Sequence, residues 1–224
     1  MGISMKIAIL LYPGFTSLDA IGPYEMLVHA PGIKVMLVAK EKTLLTGEKD
    51  IFKIMPSHSF EDVDAADVLL VPGGPGEVDA ATDAATIAWI NKIHAGSRYT
   101  TSVCTGALVL AKAGILDRKP ATTHWAAADT LRALGSDYRA ERWVQNDKVI
   151  TAAGVSAGMD MALFLLAELI GPDAAKMMQL GTEYDPHPPF DSGSVAKAEP
   201  HIHSVLKASF EASMAERFNY LLEH

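Results

Sequence analysis

"YTTSVCTGALVLAKAGIL", Tyr99 to Leu116, decides how the rest of the chain is read. Tyr99–Val103 is a short β-prone run, and Thr105–Ala113 carries helix-forming residues stopped by Gly114. The junction between them holds Cys104, the one cysteine in 224 residues. Gly106, two positions on, has no side chain to block a close approach. A strand feeding straight into a helix is the building unit of an α/β fold. A cysteine at that turn lies beside the free N–H groups of a helix start, which favour thiolate over thiol. "VCTG" therefore reads as a sharp strand-to-helix turn that exposes a nucleophile. A lone cysteine can also be a small buried hydrophobe, but its place at the junction favours the first reading.

The same alternation extends outward. "KIAILL", Lys6–Leu11, is a continuous apolar run closed by Pro13-Gly14 and suits a strand covered on both faces. Helical spacing follows from Leu18 to His29, and Ile33–Ala39 is a second strand. Residues 43–56, around Gly47, read as a hairpin. Asp67–Val71 is a third buried strand that opens into the glycine-rich loop "PGGPG", Pro72–Gly76. Thr82–Ala95 is helical with Gly96 as its stop, Thr122–His124 a short strand, and Trp125–Leu134 a helix stopped by Gly135. "YRAERWVQNDKVITAAG" predicts a hairpin turning at Asn146-Asp147, and Ala157–Ile170 a long apolar helix. After the Pro-rich loop "EYDPHPPFDSGS", Ala196–Leu222 looks helical, interrupted at Pro200. The pattern predicts one α/β domain over residues 5–224: a mainly parallel central sheet with helices on both faces, a flavodoxin-like sandwich.

Composition narrows the classes. At 49% hydrophobic and 21% charged the chain is globular, and a net charge of −8 without any basic run argues against a nucleic-acid partner. One cysteine rules out an internal disulfide framework and fits a reducing compartment. The first apolar run is too short for a membrane span, and Met161–Ile170 is broken by Glu168. A cytoplasmic location without membrane contact is the expectation, with Met1–Ser4 a non-native leader and Met5 the natural start.

In open α/β sheets, ligands bind outside the carboxyl ends of the strands. Three loops fall there: Tyr12–Asp19, Gly73–Gly76 and Cys104–Gly106. Asp19 sits in a mostly apolar stretch, where a carboxyl acquires a raised pKa and serves as general acid or base. It can equally be a first-turn helix residue that complements the dipole. The glycine loop lacks the dinucleotide fingerprint and the P-loop lysine; its expected use is to expose backbone N–H groups to developing negative charge. It can also be a plain tight turn. His124 is either a partner for Cys104 or a structural histidine at a strand end. His187, His201 and His203 lack metal-ligand spacing, and no metal is expected. Met177-Met178 and Met159/Met161 read as core filler.

"VPGGPG", "SVCTGALVLAKAGILDRKPATTHW" and "GVSAGMD" together resemble the ThiJ/PfpI superfamily, a branch of the class I glutamine amidotransferase-like fold. The resemblance spans roughly Met5 to Gly193. An acid of Asp type at Asp19, Thr105 after the cysteine and the "EYDPHPPFDSGS" segment make it similar to the isocyanide hydratase branch. That branch converts isocyanides to N-substituted formamides without a cofactor. The resemblance implies that Cys104 is the nucleophile and Asp19 the proton-handling acid. It implies that Thr105 belongs to the same site and that Gly73 and Gly74 form an oxyanion-like pocket. Protease-like members carry His after the cysteine, so Thr105 argues against peptidase chemistry. The deglycase and glyoxalase members carry Glu where Asp19 stands, which argues against those activities.

The resemblance also implies a small-molecule substrate and a homodimer, with Ala196–Leu222 packing either on a partner or on its own subunit. Two other classes remain open in the sequence. One is a cysteine redox sensor. The other is a ligand-sensing domain of a transcription regulator, disfavoured by the acidic charge and by an end at His224 that leaves no room for a DNA-binding unit. A chaperone role is neither supported nor excluded.

Overall fold

In the computed structural model, which describes residues 5–224, the apolar runs become the central strands of one sheet. In chain order the elements are β1 (Met5–Leu10), α1 (Ser17–Leu27), β2 (Ile33–Ala39), β3 (Leu45–Thr46), β4 (Lys53–Ile54), β5 (His58–Ser59), β6 (Val68–Val71), α2 (Glu77–Thr82), α3 (Ala84–Gly96) and β7 (Tyr99–Val103). There follow α4 (Gly106–Lys112), β8 (Pro120–Ala121), α5 (Ala128–Ala133), β9 (Asp137–Tyr138), β10 (Trp143–Asn146), β11 (Val149–Ala152), α6 (Ala157–Ile170), α7 (Pro172–Gly181) and α8 (Pro200–Glu223).

Seven strands pair in the order β10-β11-β7-β6-β1-β2-β5, all parallel except β10, which is the antiparallel arm of the predicted hairpin. Helices cover both faces, so β1 and β6 lose their water on both sides: Ile7–Leu10 and Val68–Val71 are fully buried. That is why they read as unbroken apolar runs rather than alternating ones. The mainly parallel, flavodoxin-like architecture expected from the sequence is present. The chain builds outward from β1 through β2, then returns to β6 on its other side. The crevice at this reversal is where an open α/β sheet binds ligands.

Several local expectations are corrected. The helix read as Thr82–Ala95 is α3, which starts two residues later at Ala84 because the Asp83 carboxylate accepts the Thr86 N–H at 2.9 Å and caps it, and a separate short helix, α2, ends at Thr82. The strand read at Thr122–His124 lies two residues earlier, at Pro120–Ala121. Thr122 and Thr123 instead bond to Thr151 Oγ1 and to the Cys104 carbonyl. Helix α7 is an element the sequence pattern does not announce: Gly171 at φ 97° turns the chain and Pro172 opens the helix at its first position. Pro200 likewise begins α8 rather than interrupting it, since its missing N–H costs nothing there. Met161 is core, but Met177 is 56% exposed and fills nothing. The suggested leader, Met1–Ser4, lies outside the described residues.

Candidate active site

The ends of four neighbouring strands converge. Val71 of β6 stands opposite Ser102 of β7, and Val103 stands opposite Ala152 of β11. Cys104 therefore emerges between the 72–76 loop and the 153–156 loop, while Asp19 arrives from the first turn of α1, behind β1. The Cys104 N–H donates to the carbonyls of Ala152 and Ala153, each at 3.1 Å, and the residue is held at φ 57°. Left-handed backbone at a non-glycine residue costs of order 1 kcal/mol, and here the surrounding bonds enforce it. The turn requires Gly106: a Cβ there would stand 2.2 Å from the Val71 carbonyl oxygen.

Cys104 is 7% exposed and Asp19 0%. The carboxyl and the thiol act on each other's ionisation, while Asp19 Oδ1 is buried with no hydrogen-bond partner among the described residues. Burial raises Asp19 from 3.8 to about 7, partly offset by the Gly73 N–H and by the thiol itself, with Glu48 adding a further upward push. Burial also pushes the Cys104 thiol well above its ordinary value, and the Asp19 charge adds to this. The amides of Thr105 and Val155 pull the thiol back toward ionisation. The expectation of a thiolate favoured by a helix start is thus corrected. Desolvation of the anion is the largest cause, and the Thr105 and Val155 amides offset it only in part.

The glycine loop is corrected in a related way. Gly73 N–H donates to Asp19 Oδ2 at 2.9 Å, Gly74 N–H to Thr105 Oγ1 at 3.0 Å, and Gly76 N–H to the Gly14 carbonyl at 3.2 Å. Pro75 has none to give. The amides of 73–76 are already engaged, so the loop fixes Asp19 and Thr105 rather than offering free donors. A side chain at Gly73 would leave its Cβ 2.5 Å from the Thr105 nitrogen. The donors facing the sulfur come from Thr105 and Val155. Val155 stands in the "GVSAGMD" stretch that carries part of the family resemblance.

Around this floor is a cavity of about 440 Å³, lined on the polar side by Thr16, Glu48, Glu77 and Arg217, and on the apolar side by Val155, Phe210 and Met214. His124 forms part of its wall. Its Nδ1 accepts the Ala126 N–H at 3.3 Å, and burial lowers its pKa, so the ring is neutral at pH 7. It stacks obliquely on Trp125 and edge-on to Phe210 at 5.1 Å, and no hydrogen bond joins it to Cys104 among the described residues. His201 and His203 lie on α8, His203 against Trp125, while His187 is exposed in the Pro-rich loop.

Three further residues were not singled out from the sequence. Tyr12 donates its buried hydroxyl to the Pro72 carbonyl at 2.7 Å and props the glycine loop from below. Glu77, directly after "PGGPG", is fully buried, and burial raises its carboxyl to about 7 against the lowering effect of Arg217. Arg217 reaches the site from α8, donating to the Pro75 carbonyl at 2.8 Å. The one signal for Glu77 was its place after the loop; nothing in the sequence announces Arg217.

A flavodoxin-like sheet with its lone cysteine on a strained strand-to-helix turn, backed by a buried acid, defines a narrow class of α/β proteins. Residues 5–168 match the DJ-1/PfpI family, and the chain belongs to it. It is 43% identical over 192 residues to an isonitrile hydratase of Pseudomonas putida, covering 86% of this chain and 84% of that one. The crystal structure of a ThiJ/PfpI family protein from Pseudomonas syringae superposes with a TM-score of 0.93 at 37% identity, covering all of this chain and 92% of the other. A transcriptional regulator of Pseudomonas aeruginosa, CdhR, is 27% identical over 173 residues, which is 74% of this chain and 51% of the regulator. Among the described residues, no helix is long and apolar enough to cross a membrane.

Proposed function

We propose that this chain is an isocyanide hydratase, adding water to R–N≡C and releasing the N-substituted formamide. The observation that carries the reading is the buried pairing of Cys104 with Asp19 beneath a largely apolar cavity. Similarity to the Pseudomonas putida isonitrile hydratase gives that pairing its substrate class.

The chemistry follows from the placement. The thiol proton passes to the Asp19 carboxylate as Sγ attacks the terminal carbon, and the Thr105 and Val155 amides support the charge on sulfur. With its pKa near 7, Asp19 returns that proton to the carbon and leaves a thioimidate, R–N=CH–S. Water then adds to the same carbon, one of its protons going to the imine nitrogen. The new hydroxyl gives its proton to Asp19 as the C–S bond breaks, which frees the formamide and restores the pair. The addition of water involves no net oxidation or reduction, so the reaction asks for no redox cofactor. Thr105 serves through its backbone N–H, while its side chain is committed to holding Gly74.

In the same reading residues 5–224 are one domain, since a single apolar core runs from Ile7 to Leu221. The protein acts in the cytoplasm as a homodimer on a small molecule. Exposed Ile202, Val205 and Leu206 on α8 are consistent with a subunit contact. The test is formamide production from p-nitrophenyl isocyanide. Turnover is expected in the wild type, absent in Cys104→Ala and strongly reduced in Asp19→Asn. A folded wild type that alkylates at Cys104 yet makes no formamide overturns the proposal.

A further inference from the structure

The family match ends at residue 168, yet one wall of the Cys104 cavity comes from α8, which starts at Pro200. Phe210, Ser213, Met214 and Arg217 line the cavity from this helix. The helix is seated in part by apolar burial of Met214, Phe218 and Leu221. Lys112 Nζ also donates to the Leu221 carbonyl at 3.3 Å. Most of its remaining length is exposed, including Val205 at 72%.

Beside the cavity, the helix is tied to the glycine loop by one side chain. Arg217 Nη1 donates to the Pro75 carbonyl at 2.8 Å, and Nη2 stands 3.7 Å from Glu77 Oε1. Glu77 is completely buried, and neither of its carboxylate oxygens has a hydrogen-bond partner among the described residues. Arg217 Nε is also buried without one. The guanidinium is therefore the group compensating a carboxyl locked in the wall of the site. Removing it takes away the cationic neighbour that lowers this carboxyl, and burial, which already raises it to about 7, then drives it further toward the neutral form. A planar fork can meet a carbonyl and a carboxylate at once; an ammonium on a flexible stem cannot do both as well.

We propose that Arg217 is a positioning residue: by clamping the Pro75 carbonyl and Glu77 together it holds α8 as a wall of the Cys104 cavity, and this wall selects by size which molecules reach the thiol. The loop it grips is the one whose Gly73 and Gly74 amides hold Asp19 and Thr105, so the clamp also steadies the floor. Phe210, packed against His124 and Trp125, is the part of the wall that meets an incoming substituent.

The experiment compares Cys104 labelling by a small reagent, iodoacetamide, and a bulky one, fluorescein maleimide, on the full chain. The bulky-to-small rate ratio is expected to rise about tenfold in Arg217→Met, because the wall then opens locally. It is expected to take an intermediate value in Arg217→Lys, and to rise in Phe210→Ala, which cuts the wall without touching the clamp. Circular dichroism and urea midpoints establish that each variant is folded; if Arg217→Met does not fold, Arg217→Lys and Phe210→Ala decide. A ratio within about twofold of wild type in the folded variants overturns the proposal, as does an equal acceleration of both reagents. Labelling does not depend on the hydratase reading, so the two ideas fail separately. Where isocyanide turnover is measurable, Arg217→Met is expected to raise KM more than it lowers kcat, and Arg217→Lys to recover part of both.

Discussion

Asp19→Asn is expected to make the protein more stable above neutral pH while removing its activity. The side chain is fully buried, and burial raises its carboxyl from 3.8 to about 7. Between those values the folded state keeps the proton and the unfolded chain releases it, so the folded state binds more protons. Stability therefore falls as pH rises through this window and levels off above it. At about 1.4 kcal/mol per pH unit, the full window corresponds to a loss of about 4 kcal/mol. Asn keeps the shape and can still accept the Gly73 N–H, which now reaches Asp19 Oδ2 at 2.9 Å, but it has no proton to lose. Glu77 titrates over a similar range in both proteins and cancels in the difference. Urea unfolding of wild type and variant at matched pH gives that difference directly. It is expected to grow in favour of Asn by about 3 kcal/mol between about pH 5 and pH 8. A difference flat within about 1 kcal/mol over that range would refute the reasoning, because it would mean the buried carboxyl is not held protonated. Loss of turnover alongside a gain in stability is what a destabilising functional group produces.

Gly106→Ala would set a Cβ 2.2 Å from the Val71 carbonyl oxygen, so the strand or the turn has to move. A loss of about 3 kcal/mol or more in urea unfolding is expected, with slowed alkylation of Cys104 if the turn survives. Thr105→Val keeps the shape but leaves the Gly74 N–H without its 3.0 Å acceptor. A cost of about 1–3 kcal/mol in stability is expected. Formamide turnover should fall far less than in Cys104→Ala, since the backbone N–H that faces the sulfur remains.

The sequence alone determined the sheet and the placement of its cysteine. Strands covered on both faces can be apolar throughout, so β1 and β6 announce themselves, while β2 and β7 are read from β-prone residues between turn signals. Ile33–Ala39, Tyr99–Val103 and Ala157–Ile170 fall within the bounds read from pattern alone. Cys104 at the end of β7 followed from the switch between strand and helix periods, a strictly local signal. Short elements were less legible. Helices α2 and α7 are six and ten residues long, and their limits are set by one cap at Asp83 and one turn at Gly171.

The tertiary structure decided everything that depends on which groups are removed from water together. Local sequence predicted a thiol eased toward thiolate and a glycine loop with free amides. Burial reversed the first, and Asp19, Thr105 and Gly14 consumed the second. Arg217 and Pro75 are separated by 142 positions, and no periodicity links them. Their meeting depends on how α8 returns across the molecule. Hydrophobic pattern is written residue by residue, whereas desolvation and hydrogen-bond pairing are properties of a place in the fold, which exists only once distant segments have come together.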